Sequence, residues 1–190
     1  MPAFVASGMY PPQAAHGFTL IELMVVIAIL AVLTAVGMPS FIEFIADQRV
    51  RAATSDLYGD FVFARVKAIE ASRRVYVTPD GGNWKNGWRV FVDLDNSGTE
   101  QTNETLKIFN GIKGRPRVCP TVSEFATNVI FRPDGRVVRT STVAGTDGIY
   151  VIDDLGDSVQ SNNKVRAVLI GVNGRATVVT MNGVVPPCNN

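Results

Sequence analysis

Histidine is almost missing from this chain of 190 residues: the one copy, His16, sits just ahead of a long apolar run. If the segment before that run is removed, no histidine is left. His-based triads, His general bases and His metal sites are then excluded. Carboxylate-only chemistry survives that cut, but no spacing singles out a pair, so the chain reads as a non-enzyme without a cofactor. Residues 1–17 contain no Lys or Arg, so charge gives little help in orienting the apolar run. The net charge of +1 calls by itself for neither nucleic acid nor an acidic partner. Internal repeats and low-complexity tracts are missing too, and cysteine is sparse, with only Cys119 and Cys188.

What the chain does have is a span. From Phe18 to Met38 it is apolar enough to cross a bilayer, and about 21 helical residues at 1.5 Å each reach roughly 30 Å. The single charge inside the span is Glu22. A carboxylate there costs about 2.5–3.5 kcal/mol, less near an end, so it calls for a partner. The remainder is long enough for one globular domain with its own core.

Gly17-Phe18-Thr19-Leu20-Ile21-Glu22 followed by apolar residues resembles the N-terminus of type IV pilins and type II secretion pseudopilins. That resemblance implies a leader, residues 1–17, removed by a prepilin peptidase after Gly17, with methylation of the new amine on Phe18. It also implies that Glu22 meets the N-terminal amine of a neighbouring subunit as a fibre grows. A buried carboxylate and a buried ammonium are each costly alone, so pairing them rewards one axial register. Two other readings compete: an uncleaved anchor whose Glu22 reaches the interface, and a secretory signal cut after Ala35-Val36-Gly37. His16 stands where a basic residue often precedes the glycine, and Met9 offers an alternative start. The implied location is the inner membrane, single-pass, with a periplasmic C-terminal domain that enters a pilus or pseudopilus.

In such an oxidising compartment Cys119 and Cys188 allow one pairing, closing a loop of about 70 residues for about 4 kcal/mol of chain entropy. It would pin the tail Val184-Val185-Pro186-Pro187-Cys188 to the domain. The alternative is two buried thiols.

Pro39, with Gly37 just before it, predicts a kink or loosening of the helix. Val50, Thr54, Leu57, Phe61, Ala64 and Ala68 then recur at three- and four-residue spacing as an apolar stripe. Residues 18–73 therefore read as one long helix, with 18–38 in the membrane and 39–73 an amphipathic continuation. From Val75 onward, alternation and turn residues predict strands at 74–78, 88–93, 105–110, 128–132, 136–140, 148–152, 165–171 and 175–181. Asp134-Gly135 and Asn173-Gly174 predict two tight hairpins, joining 128–132 to 136–140 and 165–171 to 175–181. The fold class is α+β: a long N-terminal helix on a predominantly antiparallel β-sheet domain at 74–190, type IV pilin-like.

Trp84-x-x-Gly87-Trp88-x-x-Phe91-x-Asp93, Phe131-x-Pro133-x-Gly135-Arg136 and Gly174-Arg175 resemble, in that order, the GspH/FimT group. The two tryptophans read most simply as hairpin and core residues. That group contains minor pilins of type IV pili, which sit in a tip or priming complex, and the H-type pseudopilin of type II secretion. The Trp-Gly-Trp segment and the cysteine-bearing tail are more similar to the pilus members. Some of those capture DNA through a Gly-Arg-x-Arg motif. Here the matching residues, Gly174-Arg175-Ala176-Thr177, keep the first arginine and lose the second.

Charge distribution favours DNA nonetheless: residues 111–140 hold six basic groups against two acids, and 161–190 hold three and no acid. A Cys119–Cys188 bond would bring the two regions together, and clustered positive charge is what phosphate neutralisation requires. Arg175, Arg166, Lys164 and Arg139 are the candidate DNA contacts. The alternative is a solvated surface balanced by Asp147, Asp153, Asp154 and Asp157. Expected partners are thus other pilin or pseudopilin subunits, the prepilin peptidase and the inner membrane, with DNA as a further candidate.

Asp93-x-Asp95-x-Ser97-Gly98-x5-Glu104 matches the spacing of an EF-hand calcium loop, with Ser97 where Asp or Asn is usual. Its flanks read as strands rather than helices, and Asp/Asn/Ser/Gly clusters serve any strand-to-strand loop. The expectation is an acidic hairpin loop without metal, calcium being the alternative.

Overall fold

The computed structural model describes residues 17–114, 116–139, 147–152 and 164–182. The chain divides into two compact units between Phe41 and Ile42, and helix α1 (Leu20–Ala71, 52 residues) contributes to both. Thr19 sets its start. The Thr19 hydroxyl accepts the Glu22 amide at 3.3 Å and the Thr19 carbonyl accepts the Leu23 amide at 3.1 Å. Thr-x-x-Glu is the capping-box spacing, and an acid in the first turn also suits the positive end of the helix. Helical backbone continues through Gly37 and Pro39. The expected loosening there does not end the helix, because one proline removes a single donor from the ladder.

The helix closes with Ser72 at φ 51°, its amide donating to the Ile69 carbonyl and that of Arg73 to the Ala68 carbonyl. This is a Schellman ending, with serine in the left-handed position that glycine usually takes.

In the second unit, the expected stripe is the buried face of α1. Val50, Thr54, Leu57, Phe61, Ala64 and Ala68 are each at most 1 % exposed. Among the described residues there are eight strands: β1 (Arg74–Pro79), β2 (Trp88–Asp93), β3 (Thr105–Phe109), β4 (Arg117–Pro120), β5 (Val129–Phe131), β6 (Gly148–Ile152), β7 (Lys164–Ile170) and β8 (Ala176–Asn182). These form two four-stranded sheets, ordered β3-β2-β1-β5 and β4-β6-β7-β8. Every pairing within them is antiparallel. Phe61, Leu57, Ala64 and Ala68 share one apolar core with Val75, Val77 and Trp88 of the first sheet and Val118, Ile149 and Val168 of the second.

Three features depart from the sequence expectation. Strand β4 is additional to it, because Arg117 and Pro120 disguise the strand. It is the edge strand of its sheet, where proline is tolerated. The short helix α2 (Ser123–Thr127) follows it. The strand expected at 136–140 is reduced to a single bridge, Phe131 to Val137, although the Val138 amide still donates to the Ile130 carbonyl. The chain leaves that hairpin early because the Val137 amide turns toward the Val172 carbonyl of the other sheet.

Candidate functional site

The first candidate surface is the N-terminal part of α1. Thr19 caps the helix so that Gly17 and Phe18 stay outside it, with Phe18 79 % exposed. The Gly17–Phe18 bond therefore lies beyond the helical hydrogen-bond ladder. Leu20–Met38 is a 19-residue apolar stretch of mean hydropathy 2.7, none of it buried inside the molecule. Glu22 is exposed in its first turn. The leader, residues 1–16, lies outside the described residues.

The internal sequence motifs prove to be packing devices. Trp84 and Trp88 are 2 % and 0 % exposed, with ring centroids 6.1 Å apart. Each satisfies its indole N–H: Trp84 donates to the Phe125 carbonyl at 2.7 Å and Trp88 to Asp60 Oδ2 at 2.8 Å. Asp60 Oδ1 in turn accepts from Lys107 Nζ at 2.5 Å. Gly135 and Gly174, from the other two motifs, are partners. The tip of the β7–β8 hairpin rests on the turn after β5, and Arg65 of α1 donates from Nε to the Gly135 carbonyl at 3.0 Å.

That junction carries the basic residues to one end of the domain. An open groove of about 620 Å³ is lined by Arg73, Arg74, Asn96, Arg132, Arg136 and Arg139, among others. Arg73 and Arg74 follow the helix end, while Arg132 and Arg136 flank the β5 turn. Arg132 makes one loose pair with Asp134 at 3.7 Å; Arg73, Arg74 and Arg136 make none among the described residues. Sequence reasoning counted Arg132 and Arg136 in the basic stretch 111–140 but named none of the four as a contact, although Arg73-Arg74 and Arg132-x3-Arg136 were visible as a basic pair and a turn-spanning pair.

Of the four DNA candidates read from the sequence, Arg139 needs correction. Its side chain is 6 % exposed and paired at 2.5 Å with Asp147, itself 6 % exposed, and it lies over the Phe125 ring. At the wall of the groove its charge is already matched by a buried acid. Arg175 is exposed in the β7–β8 turn, and Arg166 is half-buried in β7 with its Nε buried and without a hydrogen-bond partner among the described residues. Lys164 opens β7 opposite Asn182, at the other end of the hairpin from Arg175. The structure therefore does not gather the four.

The acidic loop between β2 and β3 is well ordered by its own backbone. Asp93 is 1 % and Glu104 3 % exposed, while Asp95 faces solvent. The amides of Leu94 and Gln101 donate to the two oxygens of Glu104, and that of Gly98 to Asp93 Oδ2. Hydrogen bonds from Ser97, and then Gln101, hold the Asp95 carboxyl below its ordinary range. The Ser97 hydroxyl also bonds Thr99. Cys119 is buried in β4. Cys188 and the tail before it lie outside the described residues.

Residues 53–178 match the family described as type II transport protein GspH. The chain belongs to that family. Residues 13–38 match the prokaryotic N-terminal methylation motif. The chain is 32 % identical over 106 residues to the type IV narrow pilus major component PilA5 of Thermus thermophilus, covering 53 % of this chain and 89 % of that protein. A fimbrial protein of Pseudomonas aeruginosa is 33 % identical over 94 residues, which span 49 % of this chain and 61 % of its own length. The fold is that of the type IV minor pilin FimU of P. aeruginosa PAO1, with a TM-score of 0.52 at 15 % identity over 74 % of this chain and 98 % of that one. This GspH-family chain is thus a pilin-like structural subunit rather than an enzyme, and its apolar helix fits membrane anchoring before fibre incorporation.

Proposed function

We propose that this chain is a minor pilin of a type IV pilus, held in the inner membrane with its C-terminal domain in the periplasm. A prepilin peptidase removes the leader after Gly17, Phe18 is methylated, and α1 draws the subunit into the priming or tip complex. The observation that carries this reading is the wholly exposed apolar stretch Leu20–Met38 with one acid, Glu22, in its first turn. In lipid that acid lacks a counter-charge; the freed amine of a neighbouring subunit supplies one, and only at one axial offset.

Glu22→Gln separates this role from simple capping, since glutamine also fits the capping box but carries no charge. The variant should stay in the membrane fraction while its content in sheared pili falls at least tenfold. Unchanged incorporation would refute the pairing. Recovery of the wild-type chain with secretion pseudopilins instead of pili would favour the H-type pseudopilin reading, which the family description supports.

A second reading, DNA capture for uptake, is favoured by the arginine-lined groove. Phosphate contacts by Arg73, Arg74, Arg132 and Arg136, extended by exposed Arg175, would give sequence-independent, salt-sensitive binding. The detergent-solubilised chain should then bind duplex DNA at micromolar concentration in 50 mM salt. An Arg132→Gln/Arg136→Gln variant should bind about tenfold more weakly, with a shallower salt slope. No binding at 50 mM salt would remove this reading.

A further inference from the structure

We infer that the loop between β2 and β3 is a calcium site built from Asp93, Asp95 and Glu104. One carboxylate oxygen from each of these residues lies within 4.8 Å of the others. Calcium sits about 2.4 Å from each oxygen ligand, so two opposed ligands stand about 4.8 Å apart, and three atoms at this spacing can share one ion. None of the three acids makes an ion pair with Lys or Arg among the described residues. Arg74 stands opposite Asp93 in the β1–β2 register, yet is not paired with it. Two carboxylates nearly out of solvent without a counter-charge are expensive.

The independent observation is Asp93 Oδ1. Asp93 is 1 % exposed, and this oxygen is buried without a hydrogen-bond partner among the described residues. The nearby amide donors are spent elsewhere: Gly98 on Asp93 Oδ2, Ser97 and the Gln101 side chain on Asp95, Leu94 and the Gln101 backbone on Glu104. These bonds hold the carboxylates in position and still leave each oxygen a lone pair for a metal. Among the described residues no Lys or Arg is ion-paired with Asp93.

An all-oxygen set carrying three negative charges, with exposed Asp95 as its entrance, suits a hard divalent cation. Calcium accepts the irregular geometry of such a loop, whereas magnesium demands a near-ideal octahedron. The flanks are strands, so this is not an EF-hand despite its spacing.

The test is thermal unfolding and calorimetry of the detergent-solubilised full chain in EGTA, in 5 mM CaCl2 and in 5 mM MgCl2. One calcium per chain with a Kd of about 10⁻⁴ M is expected, with Tm raised by about 5 °C in calcium and by much less in magnesium. Asp95→Asn, on the exposed side, should weaken calcium at least tenfold while remaining folded in EGTA. Asp93→Asn should abolish the calcium shift while remaining folded in EGTA, since it removes a buried charge. Identical melting of the wild type in EGTA and calcium would overturn the site, as would a full calcium shift retained in both variants.

Discussion

Asp60→Ala is expected to lower the stability of the globular unit by about 3 kcal/mol. Asp60 is 1 % exposed on α1 and serves two partners at once, the Trp88 indole and the Lys107 ammonium. Alanine leaves the indole N–H, on a side chain with no exposed surface, without an acceptor, and opens a void beside the Trp88–Phe109 stack. Lys107 limits the loss, because at 49 % exposure it can return to water. The Asp60→Asn variant keeps an acceptor for the indole, so about half the cost should remain. Urea unfolding should show a lower midpoint with an unchanged slope.

Asp56, one turn earlier, behaves oppositely. Partial desolvation of this exposed side chain first, then the Asp60 charge, raise its pKa above 3.8, with Lys107 pulling the other way. The folded state therefore holds that proton more tightly than the unfolded state. The stability Asp56 contributes is present at low pH and is lost as pH rises through the raised value. Asp56→Asn should accordingly raise the urea midpoint at neutral pH, and the gain should fade below about pH 4.

Gly174→Ala should cost about 3 kcal/mol, again read as a urea midpoint. Gly174 has φ +72°, and an added Cβ would lie 1.9 Å from the Gly135 carbonyl oxygen, a backbone atom. That oxygen also accepts the Arg65 hydrogen bond, so it cannot retreat without breaking the tie to α1. Gly135→Ala makes the contrast. Its φ is +76°, but the nearest atom to a new Cβ is the flexible end of Ile69 at 2.9 Å. The loss there should be about half as large, because a side chain can yield where a carbonyl cannot. Equal losses would mean that backbone strain alone, and not the meeting of two turns, makes these positions glycine.

The legible parts of this fold are those whose signal repeats. The stripe Val50 to Ala68 shows one face at every turn of the helix, and burial matches it. The hairpin at Asn173-Gly174 is bracketed by alternation on both sides and forms as expected. Strand β4 escapes detection because four residues ending in proline carry too little periodicity, and its pairing with β6 comes from a segment about 30 residues away in sequence. Division of the strands into two sheets is equally invisible, since alternation reports facing but not which partner a strand takes. Arg139 shows the same limit for charge. Counting basic residues puts it on a ligand-facing surface, whereas Asp147 holds it inside. The capping threonine, by contrast, is readable from Thr19-x-x-Glu22 alone.

The bare stretch Leu20–Met38 has an energetic corollary. Moving it from lipid into a bundle of like helices exchanges one apolar surrounding for another, so the hydrophobic effect contributes little to that step. What would remain to favour the fibre is side-chain packing between helices and, on the proposed pairing, the neutralisation of Glu22. On the proposed assembly, the apolar surface itself would therefore give little preference for the fibre over the membrane pool.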